Sequence, residues 1–245
     1  MRHRSRPLLT LLAVLALAAA ACDDDGGGDG GGDAAERAEE QGGELVGLFG
    51  IDGGSCADAG VTQGSYFRMV QSGGDLESGP FVPNVDSSCG DKTFTPLAPG
   101  SDGGLLAGEY QEQPDPPFEG PNEAGAADAI TQPQPFFAIP FALATNPTDP
   151  QTGDETRPPT ITVADDGSLD GKLGAVAVAY GGQHFNQGAP KPDGSRPGGT
   201  SGPTGEYDAD TGRYALDWTS QIVGGPFDGF TGVWHFEGVF EEREA

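Results

Sequence analysis

The 245-residue sequence predicts an all-β fold: an antiparallel sandwich or barrel-like domain with long loops, behind a signal peptide and a flexible tether. Three observations point there. Aromatic and β-branched residues recur with period two beyond residue 44. Gly (42 residues) and Pro (21 residues) punctuate those runs as turn signals. No stretch carries a convincing 3.6-residue apolar period, and residues 124–130 are the one modest helix candidate. The Gly and Pro content approaches that of low-complexity chains, but the period-two runs argue for a folded domain.

Residues 1–21 read as a secretory leader. Arg2, Arg4 and Arg6 precede an apolar run over 8–21 that ends in small residues. That run is too short to span a bilayer, which takes roughly 20 apolar residues. Cys22 stands at the expected cut and resembles the cysteine of the bacterial lipobox, although Ala19 stands where that pattern favours Leu. The resemblance implies a diacylglyceryl group on Cys22, and two or more chains anchor a protein where one binds only marginally. An ordinary cleaved leader with a chance Cys is the rival reading. Residues 22–44 are then a lipidated Cys plus an acidic Gly-rich tether, extended by the repulsion of Asp23, Asp24, Asp25, Asp29 and Asp33. Residues 45–245 form a single all-β domain.

Within that domain the expected strands follow one another in order. Residues 45–51 and 65–70 are short apolar runs. Residues 136–145 are strand-like, and Pro140 marks an edge or a bulge. Ile161 and Val163 alternate, as do Val176, Val178 and Tyr180. Tyr214, Leu216, Trp218 and Ile222 share one face of a strand; Trp234, Phe236 and Phe240 share one face of the next, predicting a C-terminal hairpin. Long polar loops are expected at 71–93, 111–122, 146–158 and 186–205.

The chain has 38 Asp and Glu against 12 Lys and Arg. Loss of the three leader arginines takes its net charge from −26 to −29. Such a charge argues against nucleic acid and anionic headgroups as partners of the folded part. Three cysteines are an odd number for an exported protein. Lipidation of Cys22 leaves Cys56 and Cys89 to pair in an oxidising compartment. That bond closes a loop of about 34 residues, for roughly 3–4 kcal/mol in the chain-entropy model. A metal site is the weaker alternative, with no CxxC and no nearby His.

Candidate site residues are few. His184, Phe185, Asn186 and Gln187, beside Lys191 and Arg196, read as an exposed recognition loop suited to sugar or peptide contacts. The plainer reading folds Phe185 back onto the core. His235 and Glu237 lie two apart on one strand face and, with a third ligand, could hold a metal; otherwise they are polar residues facing solvent. Calcium is the one cofactor the sequence suggests, at Asp149, Asp154 and Glu155, or at Asp208 and Asp210. The latter run departs from a calcium loop at Gly212 and Thr219, so it and residues 164–171 read as Asp/Gly turns. No GxSxG and no phosphate-cradling Gly loop occurs.

The segments GSYFRMV, NPTDPQTG and TSQIVGGPFDGFTGVWHFEG resemble stretches of secreted bacterial lipoproteins. The resemblance implies one β domain and carries no catalytic residue. The expectation is therefore a membrane-anchored extracytoplasmic lipoprotein whose β domain is a non-enzymatic binding or structural module of the cell envelope, with an envelope polymer or carbohydrate as ligand. The alternatives are a secreted hydrolase acting on carbohydrate and a calcium-dependent adhesion module.

Overall fold

The structure, a computed structural model, describes residues 43–56 and 62–243. Cys22, the leader and most of the expected tether lie outside the described residues. In chain order the strands are β1 Gly47–Ile51, β2 Ser55–Cys56, β3 Thr62–Gln63, β4 Tyr66–Asp75, β5 Gly79–Phe81 and β6 Thr95–Pro96. Then come β7 Gly104–Ala107, β8 Phe118–Glu119, β9 Ala124–Gly125, β10 Gln134–Phe136, β11 Ile139–Thr145 and β12 Thr160–Val163. The last six are β13 Ser168–Lys172, β14 Val176–Tyr180, β15 Gln183–Asn186, β16 Ser201–Asp208, β17 Arg213–Gln221 and β18 Thr231–Glu242. All pairings are antiparallel, and the described residues contain no helix.

A ten-stranded sheet runs β12-β13-β16-β17-β18-β1-β7, with β4 also on β18 and carrying β5 and β6. Strand β18 is its axis. One edge pairs with β17 along nine residues, Trp218 opposite Trp234. The other edge forks: residues 231–235 pair with β4, and residues 238–242 pair with β1. Glu237 sits in the gap. The buried Ser65 hydroxyl donates to Glu237 O (3.2 Å) and accepts from Glu237 N (3.0 Å), and Asp52 N donates to the same oxygen (2.7 Å). A buried backbone group without such partners would cost 1–3 kcal/mol.

At one end the large sheet nearly closes. Leu45 N donates to Ile161 O and Val163 N to Gly43 O, both at 2.9 Å, which clasps the incoming chain to edge strand β12. The same chain continues directly into β1, beside the opposite edge strand β7. Gly108 N donates to Pro159 O (2.8 Å), tying the two edges together again. Covering an edge in this way removes a template for unwanted strand pairing.

A four-stranded sheet, β10-β11-β14-β15, packs on the inner face of the large one. The expected C-terminal alternation holds: Tyr214, Leu216, Trp218, Ile222, Trp234 and Phe236 are buried. Phe67 and Phe141 bring the sheets together at 5.3 Å between ring centroids. On the small sheet, large inward residues (Phe141, Leu143, Val176, Val178) alternate with alanines at 142, 144, 177 and 179 that are also buried. Those alanines admit a thin third layer, the β8–β9 hairpin. At Gly125 a Cβ would stand 2.4 Å from Ala179 O and 2.7 Å from Ala142 Cβ. Residues 124–130, the one modest helix candidate, are therefore strand β9 and irregular chain, because a helix roughly 10 Å wide has no room there.

Two further expectations change. Residues 136–145 form part of a hairpin rather than one strand. Phe137 and Ala138 make its turn with φ of 51° and 63°, the twist that suits a two-residue connection. Pro135 pairs with Pro140, a non-hydrogen-bonded position next to the closing pair, so neither ring nitrogen is needed as a donor. The loops expected at 71–93 and 186–205 are partly strand, containing β5 and the start of β16. Cys56 and Cys89 are joined, with Cα atoms 5.2 Å apart.

Trp234→Ala should lower unfolding free energy by about 3–5 kcal/mol, as for other large-to-small core changes. Val223→Ala, at an exposed position, should stay within about 0.5 kcal/mol. Chemical denaturation of both variants checks the assignment of faces.

Candidate functional site

The residues expected as a recognition loop are part of the core. His184, Phe185 and Asn186 belong to β15, and Gln187 follows it. Phe185, Asn186 and Gln187 are buried. Gln187 caps both buried indoles: its carbonyl accepts from Trp218 Nε1 (3.0 Å) and its Oε1 from Trp234 Nε1 (3.1 Å). Asn186 Oδ1 accepts from Gly188 N and its Nδ2 donates to Gly174 O, both at 3.0 Å. His184 is half-buried, 4.8 Å from the Phe118 ring and 3.4 Å from Gln113 Nε2. Burial pushes its pKa down, and Asp149 opposes that shift. The segment reads as an exposed polar loop in sequence because the indoles it serves lie more than 30 residues away.

His235 and Glu237 do share the outer face of β18, but His235 is not a solvent-facing ring. Its side chain is 16% exposed and lies between two carboxylates, with Nδ1 2.8 Å from Asp217 Oδ1 and Nε2 3.3 Å from Glu237 Oε2. Tyr66 stacks on it at 4.9 Å. The row continues across β4: Phe94 meets Tyr66 edge-on at 5.0 Å, and the Arg68 guanidinium lies 4.2 Å from Phe94 and 3.4 Å from Phe81. Glu237 Oε1 also accepts from Gly64 N (2.9 Å). With both ring nitrogens engaged, His235 is a structural clamp. Among the described residues, no three His, Cys, Asp or Glu side chains are grouped to hold a metal.

The expected Asp/Gly turns at 164–171 and 207–214 are turns. Asp166 accepts from Ser168 N (3.0 Å), and Asp208 from Asp210 N (2.9 Å). The Ser168 and Thr211 hydroxyls, aided by these amides, hold the two carboxyls below their ordinary pKa.

A different place brings chemistry together. The loop carrying Asp149 docks on β15, where Gln151 Oε1 accepts from Asn186 N (2.7 Å) and Gln151 Nε2 donates to Val223 O (2.7 Å). Between this loop and residues 191–195 lies a cleft of about 130 Å³, lined by Asp149, Thr152, Asp154, Lys191, Asp193 and Ser195 among others. Lys191 is 8% exposed and Asp149 1%. The Lys191 ammonium donates to Asn186 O and Ser220 Oγ, both at 2.8 Å. An ammonium has three donors, so one has no protein partner. Asp149 Oδ2 accepts from the Thr152 hydroxyl (2.8 Å), whereas Oδ1 has only a long 3.5 Å contact with Gln151 N. Lys191 takes part in none of the ion pairs among the described residues. Burial pushes its pKa down to about 8, against the upward pull of Asp149 and Asp193.

Two other concavities offer less. A gap of about 30 Å³ between the sheets, lined by Phe67, Phe141 and Trp234, has room for roughly one water and no more. A groove of about 220 Å³ runs past Asn84, Ser87 and Gln134. Its buried groups are already engaged: Asn84 Nδ2 donates to Thr95 Oγ1 and Pro135 O (both 2.9 Å), and the Ser87 hydroxyl donates to Phe94 O (2.5 Å).

In the sequence, Lys191 stands in one expected loop and Asp149 and Asp154 in another. The signal that joins them is Gln151, an amide with no charge or motif to mark it. No protein-family model matches the chain, and no curated protein or solved structure does.

Two pH responses follow. For His235, burial disfavours the charged ring, but Asp217 and Glu237 together outweigh it and raise the pKa above 6.5. A raised folded value gives stability that is complete below 6.5 and is lost as pH climbs through the folded value. His235→Ala should therefore cost about 1 kcal/mol in mildly acid solution, after screening at the half-exposed Asp217, and clearly less in alkali. Thermal denaturation across pH reads this out. For Lys191 the sign is opposite. The unfolded chain binds more protons between pH 8 and 10.5, so stability rises across that window. The gain is on the order of 3 kcal/mol and should vanish in Lys191→Met, as denaturant titrations at both ends of the window will show.

Proposed function

We propose that this chain is a lipid-anchored extracytoplasmic protein whose β domain is a non-enzymatic binding module of the cell envelope. One observation carries the binding reading: a buried ammonium and a buried carboxylate line the same cleft, are not paired with each other, and each keeps unused hydrogen-bonding capacity. Buried charges are normally paired. A cleft that leaves two of them open is built for a polar guest.

Asp193, at the rim of the cleft, is tuned against proton donation. A proton-donating carboxylic acid needs a raised pKa. The carboxyls of Asp75, Asp166, Asp193 and Asp208 all shift down, held by Ser or Thr hydroxyls and backbone amides of their turns. Ser220, beside Lys191, is fully buried and donates to Gly188 O (2.9 Å). It is a structural hydroxyl, with no path for a substrate to reach it.

Placement outside the membrane rests on the leader and Cys22. Cys22→Ser should move the protein from the membrane fraction to the medium; a variant that stays membrane-bound after washing overturns the anchor. For binding, soluble fragments of isolated envelope polymer should be titrated into the isotope-labelled mature chain. Amide shifts should concentrate at 149–154 and 186–195 while the fragments remain intact. Fragment cleavage would make the domain a hydrolase, and shifts elsewhere would move the site.

A further inference from the structure

The cleft between the 149–154 and 191–195 loops has a charge pattern that selects among polar guests. Three of its lining residues are carboxylates (Asp149, Asp154 and Asp193) and one is an ammonium (Lys191). The two charges at its base are buried and opposite in sign. Yet Lys191 reaches only a carbonyl and a hydroxyl, and Asp149 only turn donors of its own loop. Asp154 and Asp193 stand at the exposed rim. The remaining Lys191 donor calls for an anionic or carbonyl oxygen, while the carboxylates call for cationic donors. Hydrogen bonds between ionised partners are about twice as strong as neutral ones, so a guest carrying both signs gains most.

Size and net charge narrow the class. The volume of about 130 Å³ is well below the roughly 300–1,000 Å³ of pockets for drug-sized ligands. With three carboxylates against one ammonium, a guest with more positive than negative groups complements the cleft better than a neutral zwitterion or an uncharged sugar.

From this we infer that the cleft binds a compact diamino acid, with its carboxylate on Lys191 and its ammonium groups on Asp149 and the rim carboxylates. The inference rests on the binding-module reading and specifies its ligand. A free amino acid or the terminus of an envelope peptide would supply the same chemistry.

Calorimetry on the mature chain tests it with five probes: L-lysine, glycine, cadaverine, glucose and calcium chloride. L-Lysine should bind. Glycine, which lacks the second ammonium, and cadaverine, which lacks the carboxylate, should each bind at least tenfold more weakly. Asp154→Asn changes an exposed rim residue and should weaken L-lysine at least fivefold without loss of the fold. Lys191→Met should bring L-lysine and cadaverine to similar affinity. Asp154→Asn and the wild-type comparison stand even if Lys191→Met does not fold. Cadaverine binding as tightly as L-lysine would remove Lys191 from recognition and overturn the inference. Glucose or calcium binding at the cleft, with no response to L-lysine, would overturn the ligand class and leave a binding module in place. No heat with any probe overturns the diamino acid, and the envelope-fragment titration then decides the binding module separately.

Discussion

Two buried indole N–H groups govern how this domain is assembled. Trp218 and Trp234 face each other across β17 and β18 as stacked rings, 5.6 Å apart and within 9° of parallel. An indole buried without an acceptor would lose its hydrogen bond to water and gain nothing. Both acceptors come from one residue, Gln187, which directly follows the last strand of the opposite sheet. Its own N–H is held by Val176 O (2.8 Å), so Gln187 registers the large sheet against the small one. Gly232 makes this possible, because a Cβ there would lie 2.1 Å from Gln187 Oε1. Phe67 then tilts against Trp234 at 4.4 Å and carries the aromatic packing on to Phe141.

The same arrangement places the cleft. Gln187 fixes the chain immediately after β15, and Asn186 just before it receives the Gln151 side chain. Lys191 follows within one turn of chain and reaches back to Asn186 O. The loop bearing Asp149 is thus held against the loop bearing Lys191 by the residues that complete the core. On the outer face, the fork in β18 does comparable work. Ser65 and Asp52 fill the ladder at Glu237, while its carboxylate meets Gly64 N through Oε1 and His235 through Oε2.

Period-two patterning made β12, β14, β17 and β18 legible, and the turn chemistry of Asp166 and Asp208 was equally local. The even cysteine count left after Cys22 pointed to the Cys56–Cys89 bond, which the structure contains. What stayed hidden depends on distant partners. Gln187 and Asn186 look like surface amides until Trp218, Trp234 and Gly174 are brought to them. His235 looks solvent-facing until Asp217, from the neighbouring strand, closes over it. Residues 136–145 look like one strand because apolar content masks a turn made by Phe137 and Ala138, neither of which is a usual turn residue. The Lys191–Asp149 cleft needs loops some forty residues apart, joined by a neutral amide.

The clasp at residues 43–45 has a mechanical consequence. Chain entering the domain is first held by β12 and then runs into β1, which is hydrogen-bonded on both sides, to β18 and β7. A tensile load applied at residue 43 would meet the β12 contacts first, at an edge, where bonds open a few at a time. Beyond them it would meet β1, wedged lengthwise between two neighbours, where many bonds must shear together. The fold therefore has a weak link ahead of a strong one. A modest pull would unlatch the end of the large sheet while β18, both tryptophans and the cleft stayed in register.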